Sequence, residues 1–297
     1  MAMARDAGLT WRHMHELIAG GVVRRVLKGV YVEAGVLDDL DLRIAALRLH
    51  APPDTVVCDR HAAWLHGAEM VLAPGEHLEA MPVRMLRRRG SASLRNPVSV
   101  RGERDLRDSE IVELNGLAVT TPMRTCADLG MVRWPSESLA GMNAMYRTGL
   151  VDKDRLLALS SGFKGRRWVT TFRAVAPLVH DRCESPPEDI LWLRCHEAGL
   201  DLEPQVELWD GSDFVARFDL ADPELKLAVE YDGAEWHTDP DQLEHDRRRR
   251  EKARALGWVI VVIRAEDLFA QTLRAEELIR AGHRAALARA DQTPYAA

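Results

Sequence analysis

The sequence predicts an α/β protein with more than one domain, and three observations support this fold class. Residues 1–35 follow the order helix, turn, helix and β-hairpin. A middle stretch mixes short apolar runs typical of strands with longer helical patterns. The C-terminal part has the element order αβββαβα, which is expected when helices pack on the faces of one mixed sheet. We therefore place domains at residues 1–65, 66–178 and 179–297.

Composition limits the classes of protein that fit. The chain has 297 residues, 46% hydrophobic and 29% charged, which is enough for two or three cores. Its longest fully apolar run, residues 258–263, is far shorter than the roughly 20 residues of a membrane span. The four cysteines lack a CxxC pair, which argues against a zinc ribbon or a disulfide framework. We expect a cytoplasmic protein with no membrane partner.

Turn and capping residues predict the N-terminal elements. Residues 2–7 are a short helical stretch, and Thr10 is the N-cap of a helix at residues 11–19. Two strands, residues 22–27 and 30–33, are joined through a Lys28-Gly29 turn. This order is the outline of a winged helix-turn-helix.

The run GLTWRHMHELIAGGVVRRVLKGVYV resembles the N-terminal DNA-binding domain of the AbiEi-type antitoxin family of transcriptional regulators. The segments CDRHAAWLHGAEM and LAVTTPMRTCADL resemble the parts that follow it in that family. The resemblance implies that the helix faces the major groove of DNA and that the hairpin contacts phosphates. The implied contacts are Trp11, Arg12, His13 and His15 from the helix, and Arg24, Arg25 and Lys28 from the hairpin. The alternative is a protein-binding unit whose basic residues are only solvated.

The middle stretch carries weaker patterns, typical of a mixed α/β region. Strands are predicted at residues 79–86 and 98–100, and helices at residues 122–129, 136–147 and 151–160. The net charge of -6 argues against a uniformly basic nucleic-acid binder, but arginines cluster locally at positions 84 and 87–89. That cluster either lines a path for DNA or is a solvated face.

A composition shift at residues 180–187 marks the last predicted boundary. Ser185 is the expected N-cap of a helix that has Pro186 and Pro187 in its first turn. Three strands, a charged helix, a fourth strand and a mostly helical end follow. Their predicted bounds are residues 205–209, 214–220, 225–231, 241–256, 258–264 and 265–288.

Alternation along two of these strands predicts an acidic face. Side chains in a strand alternate between its two sides, so Asp219, Glu230 and Asp232 share one face of the predicted hairpin. The apolar face opposite is predicted to hold Phe218, Leu220, Leu227, Val229 and Tyr231. Carboxylates that converge at the end of a sheet suit a hard divalent cation, which assists phosphodiester hydrolysis.

The spacing D-x10-E-x-D, the continuation VEYDGAEWH and the strand GWVIVVIR together resemble the PD-(D/E)XK nuclease superfamily, in particular its branch of very-short-patch repair endonucleases. The resemblance covers about residues 184–288 and implies a restriction-endonuclease-like αβββαβα domain. It implies that Asp219 is the principal ligand of Mg²⁺ or Mn²⁺ and that Glu230 is a second ligand. Glu188 matches the acid that the first helix contributes.

Two further positions depart from or extend that pattern. Asp232 stands where the superfamily usually has Lys, and where the repair branch has His, so the general base is unassigned. His237 matches a second His of that branch, which acts as general acid or base. The alternatives are that Asp232-Gly233 is a turn pair, that His237 packs beside Trp236, and that Glu188 only complements the helix dipole. Asp219 and Glu230 themselves would then be exposed acids.

The charged helix contains four consecutive arginines, Arg247 to Arg250, of which at most two can face one partner. The resemblance implies that Arg248 or Arg249 approaches the scissile phosphate, and the alternative is a surface charge run.

Two hypotheses follow. The first is a metal-dependent DNA endonuclease with an N-terminal DNA-binding module. The second is an antitoxin-type DNA-binding regulator whose nuclease-like domain is inactive and whose partner is a toxin. RNA as the substrate and a homodimeric state are left open.

Overall fold

Hydrogen-bonded sheets of two, six and four strands organise the part of the chain that the structure describes. The computed structural model describes residues 8–49, 51–52, 55–70, 83–88, 99–100, 103–233, 240–269 and 272–292. It is mixed α/β, as predicted. The predicted helix at residues 2–7 lies outside the described residues.

The N-terminal helix and hairpin are confirmed. Helix α1 (Trp11–Ala19) begins at Thr10, whose Oγ1 accepts the His13 N–H at 3.2 Å. Strands β1 (Val23–Leu27) and β2 (Val30–Glu33) pair antiparallel. Gly29 in their connection has φ of 79°, a conformation that glycine adopts without steric cost. Helix α2 (Leu40–Arg48) follows.

The six-stranded sheet occupies the middle of the chain. Its strands are β3 (Thr55–Val57), β4 (Val83–Arg88), β5 (Ser99–Val100), β6 (Glu103–Arg104), β7 (Ile111–Leu114) and β8 (Leu117–Thr120), in the order β5-β4-β3-β8-β7 with β6 on β4. Helix α3 (Asp59–Leu65) lies between β3 and β4 in the chain. The predicted strands at residues 79–86 and 98–100 correspond to β4 and β5, and residues 79–82 lie outside the described part. Sequence analysis missed β3, β7 and β8, which are only three or four residues long.

A group of helices follows this sheet and packs against the C-terminal domain. These helices are α4 (Pro122–Gly130), α5 (Pro135–Arg147), α6 (Lys153–Gly162) and α7 (Val169–Val175). Helix α5 is buried along most of its length, because it lies between α4, α7 and the first helix of the next domain. The three predicted helices of this region are therefore confirmed, while α7 was not predicted.

The C-terminal domain is built on a four-stranded sheet in the order β12-β11-β10-β9. Its elements are α8 (Pro186–Glu197), β9 (Glu203–Asp210), β10 (Asp213–Asp222), β11 (Leu227–Asp232), α9 (Pro240–Ala255), β12 (Val259–Arg264), α10 (Ala265–Leu268) and α11 (Arg274–Gln292). Strand β10 is antiparallel to both β9 and β11, and β12 is parallel to β11. The predicted order αβββαβα is confirmed, with the helical end divided into α10 and α11.

The C-terminal sheet has a buried cluster on each side, and this corrects one prediction. Leu220, Leu227 and Val229 belong to a large cluster with α8 and α11. Phe218 instead packs with Ala228 and the Trp258 ring in the cluster under α9. Strict alternation placed Phe218 with Leu220, and that was wrong. Gln205 of the neighbouring strand has φ of 58°, so the β9–β10 ladder is irregular at this level.

The large cluster also crosses the boundary predicted at residues 178 and 179. It joins Leu139 and Phe172 of the middle helices to Leu191 of α8 and Val229 of β11. The domain boundary itself stays a prediction, but the candidate site is built on a sheet that is packed against the middle helices.

Candidate active site

Asp219 lies on β10 where its pairing with β11 changes. The backbone pairs run from Asp222 with Leu227 to Leu220 with Val229. At the next position the Asp219 side chain takes part, because its Oδ2 accepts the Tyr231 N–H at 2.7 Å. This bond fixes the carboxylate beside the end of β11.

The surroundings of Asp219 favour its protonated form. Burial raises the pKa of this carboxyl from 3.8 to about 7, and the charge of Glu188 adds to the effect, followed by that of Glu230. The Tyr231 hydrogen bond and the charge of Arg249 lower the pKa but do not compensate. A partly buried carboxyl with a raised pKa beside two other acids is typical of functional sites.

Glu230 is buried and forms ion pairs with two arginines. Only 3% of the surface of Glu230 is exposed to solvent. Arg249 Nη1 lies 3.0 Å from Glu230 Oε1, and Arg250 Nε donates to Oε2 at 2.9 Å. Arg250 Nη1 is also 3.7 Å from Asp232 Oδ2, so Glu230 and Asp232 do share a face, as predicted. The carboxylates of this face are neutralised by arginines from α9.

Glu188 serves the N-terminus of α8 and also lies near Asp219. Ser185 is the N-cap, as predicted, and Glu188 completes a reciprocal cap by accepting from Ser185 Oγ at 2.7 Å and from the Glu184 N–H at 2.9 Å. Gln205 Nε2 donates to the same carboxylate at 2.7 Å. The capping role that sequence analysis kept as an alternative is therefore present, together with proximity to the acidic site.

The four arginines of α9 divide into an outward and an inward pair. Arg247 and Arg248 are exposed and both pair with Glu244. Arg249 and Arg250 turn toward the sheet, so of the two predicted phosphate contacts only Arg249 lies at the site. Sequence analysis missed Arg250. A signal was available in the small residue Ala253, which is fully buried one turn later on the same side of the helix.

His237 lies outside the described residues, so its predicted acid–base role stays a prediction. The described part of the β11–α9 connection ends at Gly233.

The predicted DNA contacts of the N-terminal domain lie on α1 and its hairpin. Arg12 and His13 are exposed on α1, where Arg12 pairs with Glu16 at 3.0 Å. His13 Nδ1 accepts the Thr10 N–H and thereby helps to cap the helix. Arg24 donates to the Val36 carbonyl at 2.8 Å, and Arg25 and Lys28 are exposed on the hairpin. These residues are far in sequence from the acidic site.

One other group of potential metal ligands lies between α5 and α8. Among the described residues, His180, Cys183 and Asp189 have ligand atoms within 4.8 Å of one another. Asp189 already accepts from Asn143 Nδ2 at 2.7 Å and Arg147 Nη1 at 2.8 Å. Burial lowers the pKa of His180 to about 4, and the positive charges of Arg182, Arg147 and Lys153 add to the effect. This surplus of positive charge does not fit a bound cation.

The fold and the site thus define a class of protein: a mixed α/β protein with carboxylates on the two central strands of its C-terminal sheet and two arginines of α9 turned toward them. No protein-family model matches the chain. The chain is 30% identical over 250 residues to the uncharacterized proteins Rv2248 and MT2308 from two strains of Mycobacterium tuberculosis, covering 84% of this chain and 88% of each relative. The chain belongs to the same family as these two mycobacterial proteins.

None of the helices formed by the described residues combines the length and apolar character needed to cross a membrane.

Proposed function

We propose that the protein is a metal-dependent endonuclease that hydrolyses phosphodiester bonds in DNA. The observation that carries the proposal is that Asp219, Glu230, Glu188 and Arg249 come together beside the two central strands of the C-terminal sheet. Carboxylates supply ligands for a divalent cation, and arginines bind phosphate. This combination of groups suits a phosphodiester substrate.

The chemistry of the donor atoms fits Mg²⁺ or Mn²⁺. The acids around Asp219 offer oxygen ligands, which hard cations prefer. Burial raises the pKa of Asp219 to about 7, and repulsion from Glu188 and then Glu230 adds to the effect. A divalent cation would relieve that repulsion. Asp219 would be the principal ligand, with Glu188 or Glu230 as the second.

A bound cation would polarise the phosphate and lower the pKa of a coordinated water. The chain itself would position the carboxylates and supply positive charge for the phosphate. Tyr231 holds Asp219 through its backbone N–H, and Gln205 holds Glu188. Arg249 would stabilise the negative charge that develops on phosphorus during attack. His237 stays the proposed acid or base.

Two features of the C-terminal domain support the proposal further. The element order α8-β9-β10-β11-α9-β12 agrees with the order expected from the PD-(D/E)XK resemblance. Asp219 and Glu230 lie on adjacent antiparallel strands, as that resemblance implies. Asp232 departs from the usual Lys and is paired with Arg250 instead.

DNA binding by the N-terminal domain forms part of the proposal. The exposed basic residues of α1 and the β1–β2 hairpin, including Arg12, Arg25 and Lys28, would contact the phosphate backbone, and His13 would lie at the groove. Arg248 is exposed on α9 and would add a contact near the site.

The test is cleavage of plasmid, nicked, mismatched and single-stranded DNA with Mg²⁺ or Mn²⁺, with RNA as a parallel substrate. The native chain is expected to cut DNA, and Asp219→Ala to abolish cutting. Asp222→Asn is the matched control, because Asp222 lies on the same strand and caps a turn through the Leu225 N–H. Cutting by Asp219→Ala at the native rate would reject the site, and preference for RNA would reject the DNA assignment.

One observation favours a second candidate, an antitoxin-type regulator with an inactive nuclease-like domain. Both oxygens of Glu230 are paired with arginines, and no lysine stands at position 232. In that case the native chain would cut nothing but would bind a specific DNA site through residues 8–35. Its partner would be a toxin, and copurification of a toxin with the chain would support this candidate. Sedimentation of the native chain would report whether it forms a homodimer.

A further inference from the structure

We propose that Glu230 is a positioning residue that holds Arg249 and Arg250 for a DNA phosphate, while Asp219 and Glu188 are the cation ligands. This inference rests on the proposed function. It changes the role of Glu230 from a metal ligand to the holder of an arginine pair, which we define as Arg249 and Arg250.

The first argument is the geometry around Glu230. Each of its carboxylate oxygens faces a different arginine, at 3.0 Å to Arg249 Nη1 and 2.9 Å to Arg250 Nε. The carboxylate side chain is 4% exposed, and each arginine side chain is 20% exposed. Removing one partner of a buried ion pair is costly, because the other charge is left without compensation. Recruiting Glu230 to a cation would therefore disrupt two ion pairs.

The second argument is the balance of charge. Glu230 and Asp232 together offset the arginine pair. Asp219 and Glu188 instead accept hydrogen bonds from uncharged donors, namely the Tyr231 N–H for the first and Ser185, Gln205 and the Glu184 N–H for the second. Two carboxyl groups thus lie close together, and no cationic side chain is hydrogen-bonded to either. A single divalent cation would neutralise them.

The third argument is the orientation of the arginine pair. Each guanidinium has five N–H donors, and the contacts to Glu230 and its neighbours use only some of them. Arg249 Nε is buried and has no hydrogen-bond partner among the described residues, and 20% of each arginine side chain is exposed. A guanidinium that is fixed on one side and open on the other is suited to a two-point contact with a phosphate.

Arg247 of the same helix, α9, is arranged differently from the arginine pair. Arg247 is exposed and paired with Glu244 and Glu251 on its own helix, within one turn. Such pairs are typical of a solvated helix surface. The arginine pair is instead bound to the sheet, so its position relative to Asp219 is fixed by β11.

The experiment separates binding of the cation from positioning of the phosphate. Binding of Ca²⁺ to the full chain is measured by calorimetry for the native chain, Asp219→Asn, Glu188→Gln and Glu230→Gln. We expect the Ca²⁺ dissociation constant to rise at least tenfold in the first two variants and to change less than threefold in Glu230→Gln. A tenfold loss of Ca²⁺ affinity in Glu230→Gln would show that Glu230 is a ligand and would overturn the inference.

Cleavage of duplex DNA supplies the second readout. Glu230→Gln is expected to lower kcat at least tenfold at saturating Mn²⁺, and further Mn²⁺ should not restore it. Restoration by excess Mn²⁺ would contradict a positioning role. A native chain that neither binds Ca²⁺ nor cuts DNA would reject the proposed function itself, which distinguishes that failure from failure of the inference.

A further set of variants keeps the test decisive if Glu230→Gln does not fold. Arg249→Gln and Arg250→Gln are each expected to weaken binding of a DNA duplex in Ca²⁺ and to reduce the salt slope of that binding by about one. Arg247→Gln is the matched control and should retain kcat. If either inward variant bound Ca²⁺ tenfold more tightly, Glu230 would have been released as a ligand, and the inference would be wrong.

Discussion

Asp219→Asn should stabilise the metal-free protein at alkaline pH, although the substitution removes the proposed principal ligand. The amide has nearly the same shape as the carboxylate, and its oxygen can still accept the Tyr231 N–H, which lies 2.7 Å from the native oxygen. What changes is the charge. Burial and the neighbouring acids disfavour a negative charge at this position, so the neutral amide suits the folded chain better.

The size of this stability difference follows from the pKa of Asp219 in the folded and unfolded chain. In the folded chain the pKa of Asp219 is about 7 rather than 3.8. Below pH 3.8 the carboxyl is protonated in both states and costs nothing. As the pH rises, the unfolded chain ionises first, so stability is lost progressively until the pH passes the folded pKa. Because each tenfold change in proton affinity is worth about 1.4 kcal/mol, the loss above pH 7 approaches 4 kcal/mol as an upper limit.

Urea denaturation of native chain and Asp219→Asn in EDTA, at pH 8 and pH 4, measures this difference. We expect the variant to be about 2–4 kcal/mol more stable at pH 8, and the advantage to fall below about 1 kcal/mol at pH 4. Mn²⁺ at pH 8 should stabilise the native chain and not the variant. Asp222→Asn is the control and should show no comparable pH-dependent gain. Equal or lower stability of Asp219→Asn at pH 8 would refute the assignment of a destabilised carboxylate.

Two further predictions concern packing and buried hydrogen bonds. Gly282→Ala should destabilise the fold by about 1–3 kcal/mol in urea, because a Cβ would lie 2.1 Å from Val261 Cγ2; Gly162→Ala, which meets no atom within 4 Å, should not, and equal stability of the two variants would argue against the close contact. Asn143→Ala should cost about 2–4 kcal/mol, since Asn143 bonds both Asp189 and the His180 N–H. Glu137→Ala on the exposed face of α5 is its control, and a cost for Asn143→Ala no larger than for that control would contradict the prediction.

Patterns with strong local causes were predicted correctly from sequence. The N-caps Thr10 and Ser185, the turn at Gly29 and the element order of the C-terminal domain all agree with the structure. These features depend on side chains within a few residues of each other, so a single segment contains the necessary information. The short strands β3, β7 and β8 were missed because three or four residues carry too little periodicity to identify a strand.

The site was predicted in part. Alternation placed Glu230 and Asp232 on one face correctly, because both lie on one regular strand. It failed for Phe218, because regular alternation does not hold through an irregular part of the ladder, and no local signal marks the unusual φ of Gln205. Arg250 was missed because four successive arginines do not by themselves indicate which side of α9 meets the sheet, and the small residue Ala253 on that side was not used.

The sequence by itself determined the N-terminal helix and hairpin, three of the middle helices and the element order of the C-terminal domain, and it identified Asp219, Glu230 and Glu188 as the acids of interest. These follow from chain-local propensity and spacing. Only the tertiary structure decided how their charges are balanced: Glu230 is neutralised by Arg249 and Arg250, whereas Asp219 and Glu188 have only uncharged hydrogen-bond donors. The physical reason is that electrostatic interactions depend on distance and burial in space, and the packing of α8 and α9 around one sheet sets both.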